Sequence, residues 1–398
     1  MPKAGEKFYL DARGIKASGI VTEDGFTIFA GSEVRPTIAK YLAKAIVDRR
    51  AQCEADGTIV DWKLTKDLDF NSPSTAATFL FGANASGPAT WKNSEGISML
   101  KLDKVAEGKM DSVDSEYTGF YKTVDGNEGS KCYYPTRLDT YGCGCGHDCS
   151  YCYAKDMITN LSGAWDPIHP KYADIRRIET KLKKLPAGTI LRLGGLTDCF
   201  QPVELQRRVT LETIKLLNKY GIGYLIVTKS HHVADPEYLA VMDPELAHIQ
   251  ITTTTFDAAL AAKYEKASSP EKRVQAIETL QALGYDTFFR LSPYVDGWID
   301  FDKLNAVKCD KCLVEFLRVN PTILKRFPVN EVDFPGHEAG YFHMSLEKKL
   351  EVLQKITGFK EITVCDDYTE HYIYFRDHFN PNPHDCCNLR VKYKEAEA

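Results

Sequence analysis

Three cysteines in one short run, Cys145-Gly-His-Asp-Cys149-Ser-Tyr-Cys152, constrain this chain more than any other feature. The run is C-x3-C-x2-C, set within Tyr141-Gly-Cys-Gly-Cys-Gly-His-Asp-Cys-Ser-Tyr-Cys-Tyr153. Thiolates are soft ligands that select iron–sulfur or zinc over hard cations. A structural zinc site wants a fourth thiolate or imidazole at similar spacing, and neither Cys143 nor His147 completes a familiar zinc pattern. Three thiolates suit three corners of a [4Fe–4S] cube whose remaining iron is open to a small molecule. Whatever the chain folds into must carry this loop where such a molecule can reach it. A zinc knuckle and a disulfide framework are the competing readings.

The chain has 398 residues, length for two or three domains with ample core. A formal net charge of −5 argues against a generic DNA-coating protein but leaves room for a local basic groove. The N-terminus is polar, without a signal-peptide pattern, and the twelve cysteines cluster unevenly. No apolar run approaches the roughly 18 residues that span a bilayer. These features lead us to expect a cytoplasmic protein without membrane association, its cysteines reduced.

Three regions are expected. Residues 1–108 read as a small α+β domain. Phe8-Tyr-Leu, Gly19-Ile-Val and Phe26-Thr-Ile-Phe-Ala predict strands. The apolar stripe over 36–51 predicts a helix, and Ser72 with Pro73 predicts a helix N-cap and first turn. Residues 109–131 are polar and read as a linker. Residues 132–398 hold the cysteine loop, a series of alternating strand-like and helical segments and a C-terminal extension. Strand-like runs begin near Thr189, Tyr224, Ile249, Thr287, Leu313 and Glu361. They alternate with helical segments over 203–220, 236–242, 270–283 and 345–356. That alternation implies βα units and a parallel sheet, an α/β fold whose reaction sites lie at the C-terminal strand ends.

Several residues at those ends are candidates. Gly194 and Gly195 follow the strand that begins near Thr189, where backbone can approach a ligand closely. The Lys229 ammonium ends the strand that begins near Tyr224 and could neutralise a carboxylate. Thr252 to Thr255 end the strand that begins near Ile249, with hydroxyls available to a ligand.

The cysteine run, with Tyr151 before its last member, resembles the radical S-adenosylmethionine (SAM) superfamily. That resemblance implies a partial (β/α)6 TIM-like barrel, with Cys145, Cys149 and Cys152 holding a [4Fe–4S] cluster and its open iron binding SAM. It also implies reductive cleavage of SAM to a 5′-deoxyadenosyl radical that abstracts hydrogen, with flavodoxin or ferredoxin as electron donor. More narrowly, Leu196-Thr-Asp198 followed by Gln201-Pro-Val-Glu204 is similar to spore photoproduct lyases, as is Arg290-Leu-Ser-Pro293. Glu265-Lys-Ala-Ser-Ser-Pro-Glu-Lys-Arg273 resembles another stretch of that branch, with its usual Glu-Pro replaced by Glu-Lys. The likeness spans about residues 132–300 and assigns SAM contacts to Tyr151, Gly194, Gly195, Thr197, Asp198, Lys229, Thr253, Arg273 and Ser292.

One departure bears on the reaction. Photoproduct lyases carry a cysteine hydrogen donor where this chain has Leu196, and the side chain of Cys199 should point elsewhere. The difference favours rearrangement, as in the radical SAM isomerase of bacteriophage thymidine hypermodification, which shifts a glycinyl substituent from nitrogen to carbon on the thymine methyl. The expected partner is then DNA carrying a modified thymine, in the host cytoplasm if the chain is phage-encoded. A photoproduct-lyase activity and a DNA-binding protein with a structural metal centre are the alternatives. In the N-terminal region, Ala12-Arg-Gly14, Asp24-Gly-Phe26, Gly31-Ser32, Ser72-Pro-Ser-Thr-Ala-Ala77 and Trp91-Lys-Asn-Ser-Glu-Gly96 resemble the DUF4357 type of domain. That domain is often appended to nucleases, which implies a nucleic-acid-facing accessory. Cys309, Cys312, Cys365, Cys386 and Cys387 read as small buried hydrophobes, with a second metal site as the alternative.

Overall fold

Seven parallel strands carry the larger unit, described in a computed structural model. They are β1 (Thr136–Leu138), β2 (Ile190–Leu193), β3 (Gly223–Thr228), β4 (Ala247–Thr252), β5 (Asp286–Tyr294), β6 (Lys311–Phe316) and β7 (Glu361–Val364). The structure describes residues 3–107, 119–122, 131–162, 165–186, 188–383 and 385–389. Spatial order follows chain order, from β7 at one edge to β1, where Phe120–Lys122 adds an antiparallel edge strand. Registers such as Ile226↔Ile249 and Ile251↔Phe289 keep the strand ends level. Strands β3 and β4 are buried along almost their whole length, as a parallel sheet covered by helices requires.

This is the expected α/β architecture, with one parallel strand more than the six-strand reading because β1, just before the cysteine loop, joins the sheet. The segment 109–131 is not only a linker, since Phe120–Lys122 pairs with β1. Apart from Gly119 and Lys131, its other residues lie outside the described ones.

Helix boundaries depart from expectation in two places. The segment 203–220 is not one helix but two, Glu204–Arg207 and Val209–Lys219, divided at Arg208 with φ 58°. The buried Glu204 carboxylate accepts the Thr210 and Leu211 amides at 2.9 and 3.0 Å, so it caps the second helix from within the first. The segment 36–51 becomes helical only at Lys44–Ala55. Upstream, the Arg35 and Ala39 amides donate to Leu80 and Gly82 carbonyls, and Ile38 and Tyr41 are exposed. Tertiary hydrogen bonds there outweigh a weak apolar stripe. The helix Thr369–His378 had no counterpart in the expectations.

The chain divides into two compact units, Met1–Glu116 and Tyr117–Ala398. In the smaller unit, strands Lys7–Ala12, Ile15–Val21, Phe26–Ile28 and Leu68–Phe70 form an antiparallel sheet. The helix Pro73–Phe81 has its N-cap at Ser72, whose hydroxyl accepts the Thr75 amide at 3.1 Å, an interaction worth about 1 kcal/mol. Fully buried Phe8, Phe26, Phe79 and Trp91 fill its core, and the Trp91 indole donates to the Pro73 carbonyl at 3.0 Å.

Candidate active site

The C-terminal ends of the barrel strands open into one chamber, and Cys145, Cys149 and Cys152 all line it. Their loop is held by long-range hydrogen bonds rather than by its own helix. The Ser150 amide donates to the Tyr264 carbonyl at 2.9 Å, and the Lys266 amide to the His147 carbonyl at 2.7 Å. Gln201 Oε1 accepts the Gly146 amide at 2.8 Å. The Arg326 guanidinium donates to the carbonyls of Ser150 and Cys152, the latter at 2.6 Å, and also grips both carboxylate oxygens of Asp156. Such a planar fork fixes orientation as well as position. The Asp148 carboxylate closes the outer side through Lys155 and Lys266 at 3.3 and 3.0 Å.

The second wall is the loop after β2. Gly194 has φ 82°, and a side chain there would bring its Cβ to 2.6 Å from the Val227 carbonyl, so only glycine permits this approach to β3. The amides of Gly195, Leu196 and Thr197 converge on the buried Asp139 carboxylate at 2.6, 2.9 and 3.2 Å. Burial pushes the Asp139 carboxyl up to about 6, against the pull of those three amides. Amides expected to meet a ligand are therefore committed to Asp139, and the loop's remaining backbone acceptors are its carbonyls. Thr197 lines the chamber, but its hydroxyl donates to the Tyr141 carbonyl at 2.5 Å.

Asp198 lines the chamber too, accepting the Thr228 hydroxyl and the Lys229 amide at 2.7 Å each, with His147 Nδ1 at 3.2 Å. Burial disfavours its charge, yet His147 and these donors hold the carboxyl below its usual range. The Lys229 ammonium reaches the Ser292 carbonyl at 2.9 Å and lies 5.5 Å from the Tyr151 ring centroid. Burial lowers its pKa, with Glu265 and Cys149 opposing.

Of the expected contacts, Tyr151, Gly194, Gly195, Thr197, Asp198, Lys229 and Ser292 share the chamber. Arg273 and Thr253 are fully buried and do not line it. Arg273 pairs with Glu265 and donates to the Thr252 carbonyl at 3.0 Å, while Glu265 accepts the Tyr151 hydroxyl. The two together therefore position Tyr151 from behind. Thr252, the neighbour of Thr253, takes its place on the wall. Cys199 also stays off the chamber, its sulfur facing Gly194. Sequence reasoning did not single out Asp139, Glu265 as a carboxylate partner, or Arg326. The one signal for Asp139 was a carboxylate ending a strand that faces a glycine loop.

Three unbridged thiols lining one chamber offer soft ligands, which suit an iron–sulfur cube better than a hard cation. The wall beside them offers a cation, carbonyls and hydroxyls to a zwitterionic ligand. The parallel sheet with this site at its strand ends agrees with the fold expected of a radical SAM domain. Residues 140–302 match the family model for the Radical SAM superfamily, which uses a [4Fe–4S] cluster and SAM. Residues 8–103 match a domain of unknown function, DUF4357.

Among solved structures, the chain is similar to a spore photoproduct lyase variant with bound AdoMet and dinucleoside spore photoproduct. That likeness has 14% identity, covers 60% of this chain and 78% of that one, and has a TM-score of 0.45. It is also similar to methylornithine synthase, with 14% identity, 57% and 63% coverage and a TM-score of 0.38. By sequence it is 27% identical over 170 residues to an uncharacterized protein of Methanocaldococcus jannaschii, covering 40% of this chain. The match spans 60% of that relative's length. Among the described residues no helix is long and apolar enough to cross a membrane.

Proposed function

We propose that this radical SAM enzyme rearranges a modified thymine nucleotide in DNA, moving a glycinyl substituent from a nitrogen-linked to a carbon-linked attachment. When bound, the cluster and SAM supply a 5′-deoxyadenosyl radical that can abstract hydrogen from an unactivated carbon. Cys145, Cys149 and Cys152 would hold the cluster. Lys229 would neutralise the SAM carboxylate, while the Gly194–Gly195 carbonyls and the Thr252 and Ser292 hydroxyls offer partners for its amino and ribose groups. Asp139, Glu265, Arg273 and Arg326 act as positioning residues behind these contacts.

The observation that carries the substrate reading is the chamber's mixed charge. Arg290 with Glu315, and Arg318 with Asp367, place both signs on the wall of the chamber that the thiols also line. Desolvation works against the Glu315 carboxylate, yet Arg290 and the Ser292 hydroxyl hold it down to about 2. A plain thymine is neutral and needs neither charge, whereas a glycinyl substituent carries an ammonium and a carboxylate. The base would enter flipped, because a carbon inside a duplex is out of reach. The likeness of residues 132–300 to enzymes of thymine chemistry supports the DNA assignment, as does the DUF4357 domain. Leu196 on the chamber wall supports rearrangement, since it offers no hydrogen at the position where photoproduct lyases carry a thiol. A reducing cytoplasm suits twelve unbridged cysteines.

A second reading, a photoproduct-lyase-type reaction, draws support from Cys365, Cys386 and Cys387, which line the same chamber. Mass spectrometry of nucleosides digested from DNA made with and without the protein separates the two. Isomerisation gives a new chromatographic peak at unchanged mass. Repair gives loss of thymine dimers after irradiation, with solvent deuterium entering the product. Formation of 5′-deoxyadenosine with no change in any nucleoside would refute the DNA assignment.

A further inference from the structure

Two groups of side chains among the described residues bring three metal-ligating atoms within 4.8 Å of one another. The first, His343 with Asp366 and Asp367, is already neutralised. Lys349 donates to Asp366 at 2.6 Å and Arg318 pairs with Asp367, so an entering ion would meet two resident cations. The second, His231 with His232 and Asp235, stands differently. Among the described residues the ion-pair partner of Asp235 is His232, an imidazole that becomes a metal ligand when its proton leaves. None of these three residues lines the chamber, and no step of the proposed reaction uses them.

One short 3₁₀ turn, His231–Ala234, builds the cluster directly after Lys229 and Ser230. Side chains three residues apart eclipse in such a turn, which brings Asp235 over His232. The Asp235 amide donates to the His232 carbonyl at 3.1 Å, and the side chains follow, with His232 Nδ1 and Asp235 Oδ2 2.7 Å apart. A six-coordinate ion with bonds of about 2.0–2.1 Å holds neighbouring ligands about 2.9 Å apart, so this pair already spans one edge of a coordination shell. The His231 ring lies against the His232 ring, with centroids 4.0 Å apart. Its backbone amide and its Nδ1 both meet the Ser268 hydroxyl oxygen, at 3.0 and 2.7 Å. Ser268 thereby fixes the ring and leaves Nε2 as the nitrogen that can bind. All three side chains are half-buried, open enough for an ion and its waters to enter. The exposed pair His169 and Asp166 has the same spacing, with Nδ1 and Oδ2 3.2 Å apart, but only one imidazole.

We propose that His231, His232 and Asp235 bind a divalent first-row transition metal, such as cobalt, nickel or zinc, with water in the remaining positions. Two imidazoles and one carboxylate suit these ions better than the calcium or magnesium that oxygen-only sites take. They also differ in kind from the three thiols of the cube loop. The exposed Lys272 acts on His231 through space, and solvent screens that repulsion. A bound ion would stiffen the turn that follows Lys229. Through Ser268, whose carbonyl accepts Arg273 Nε at 2.7 Å, it would also brace the support behind Tyr151.

The test is cobalt binding to the full-length, cluster-loaded protein, followed by equilibrium dialysis without oxygen and by X-ray absorption at the cobalt edge. Wild type should hold one equivalent of cobalt on nitrogen and oxygen. H231A/H232A should lose that equivalent, D235N should bind it roughly tenfold or more weakly, and H169A should match wild type. Subtracting the variant from wild type removes any cobalt held by free thiols. If the double variant does not fold, D235N carries the comparison. Equal cobalt content and affinity in wild type and these variants overturns the proposal, as does wild-type protein that takes no cobalt or holds it on sulfur alone. Iron content reports the cube separately, so either result leaves the three-thiol site untouched.

Discussion

Replacing Asp139 by asparagine separates the stability of the barrel from the readiness of its glycine loop. One carboxylate oxygen takes the Gly195 amide at 2.6 Å, and the other takes Leu196 and Thr197 at 2.9 and 3.2 Å. Asparagine keeps one acceptor and turns the other into a donor, so at least one buried amide is left facing an N–H group. That mismatch costs about 1–3 kcal/mol. The charge itself acts in the opposite direction. Burial raises the folded carboxyl from 3.8 to about 6, so the folded chain holds this proton more tightly than the unfolded chain. The resulting stability, about 3 kcal/mol, is complete below about pH 4 and is lost as pH rises through about 6. At pH 8 the wild type has lost that contribution, whereas D139N has no such charge to bury.

The two effects nearly cancel in the fold and do not cancel in the loop. D139N should therefore melt close to wild type at pH 8 and lack the wild-type decline in stability between about pH 4 and 6. Its affinity for SAM, read by equilibrium dialysis with the anaerobic protein, should fall roughly five- to a hundredfold because binding must restore the loop. Unchanged SAM affinity, or a pH slope identical to wild type, would refute the assignment of Asp139 as the loop's organiser.

Arg326→Lys keeps the charge and loses the fork that holds Ser150, Cys152 and Asp156. It should destabilise the cysteine loop by about 2 kcal/mol, seen as faster loss of iron in air. Equal iron retention would show that the loop does not depend on this clamp. Lys229→Met should weaken SAM binding roughly tenfold or more through loss of a charge-assisted contact, with the cube absorption intact. Because burial lowers the Lys229 ammonium, wild-type SAM affinity should begin to fall at a lower alkaline pH than an exposed lysine would produce. Lys229→Arg should remove that pH dependence, and a titration curve unchanged in this variant would count against the contact.

What the sequence made legible was periodic or local. The βα alternation, the Ser72–Pro73 cap and the cysteine spacing each depend on neighbours within a few residues. The misses are long-range. Asp139 acts on a loop 56 to 58 residues away, and Arg326 on a loop 170 to 176 residues away. Neither link leaves a mark in local spacing. The break at Arg208 was hidden because Glu204 and Thr210 both suit helices, and only a buried carboxylate shared between two turns divides them. Arg273 read as a ligand contact because a motif shows which residue is present, not which side of the wall it supports.

The central claim is that Cys145, Cys149 and Cys152 together hold a cube that binds SAM. The direct measurement is the electron paramagnetic resonance spectrum of the reduced, reconstituted protein with and without SAM, in wild type and in the variant with all three thiols changed to alanine. A cube signal that shifts when SAM is added, and is absent from the variant, is the predicted result. A wild-type spectrum indifferent to SAM, or a SAM-responsive signal that survives loss of the three thiols, would contradict the account.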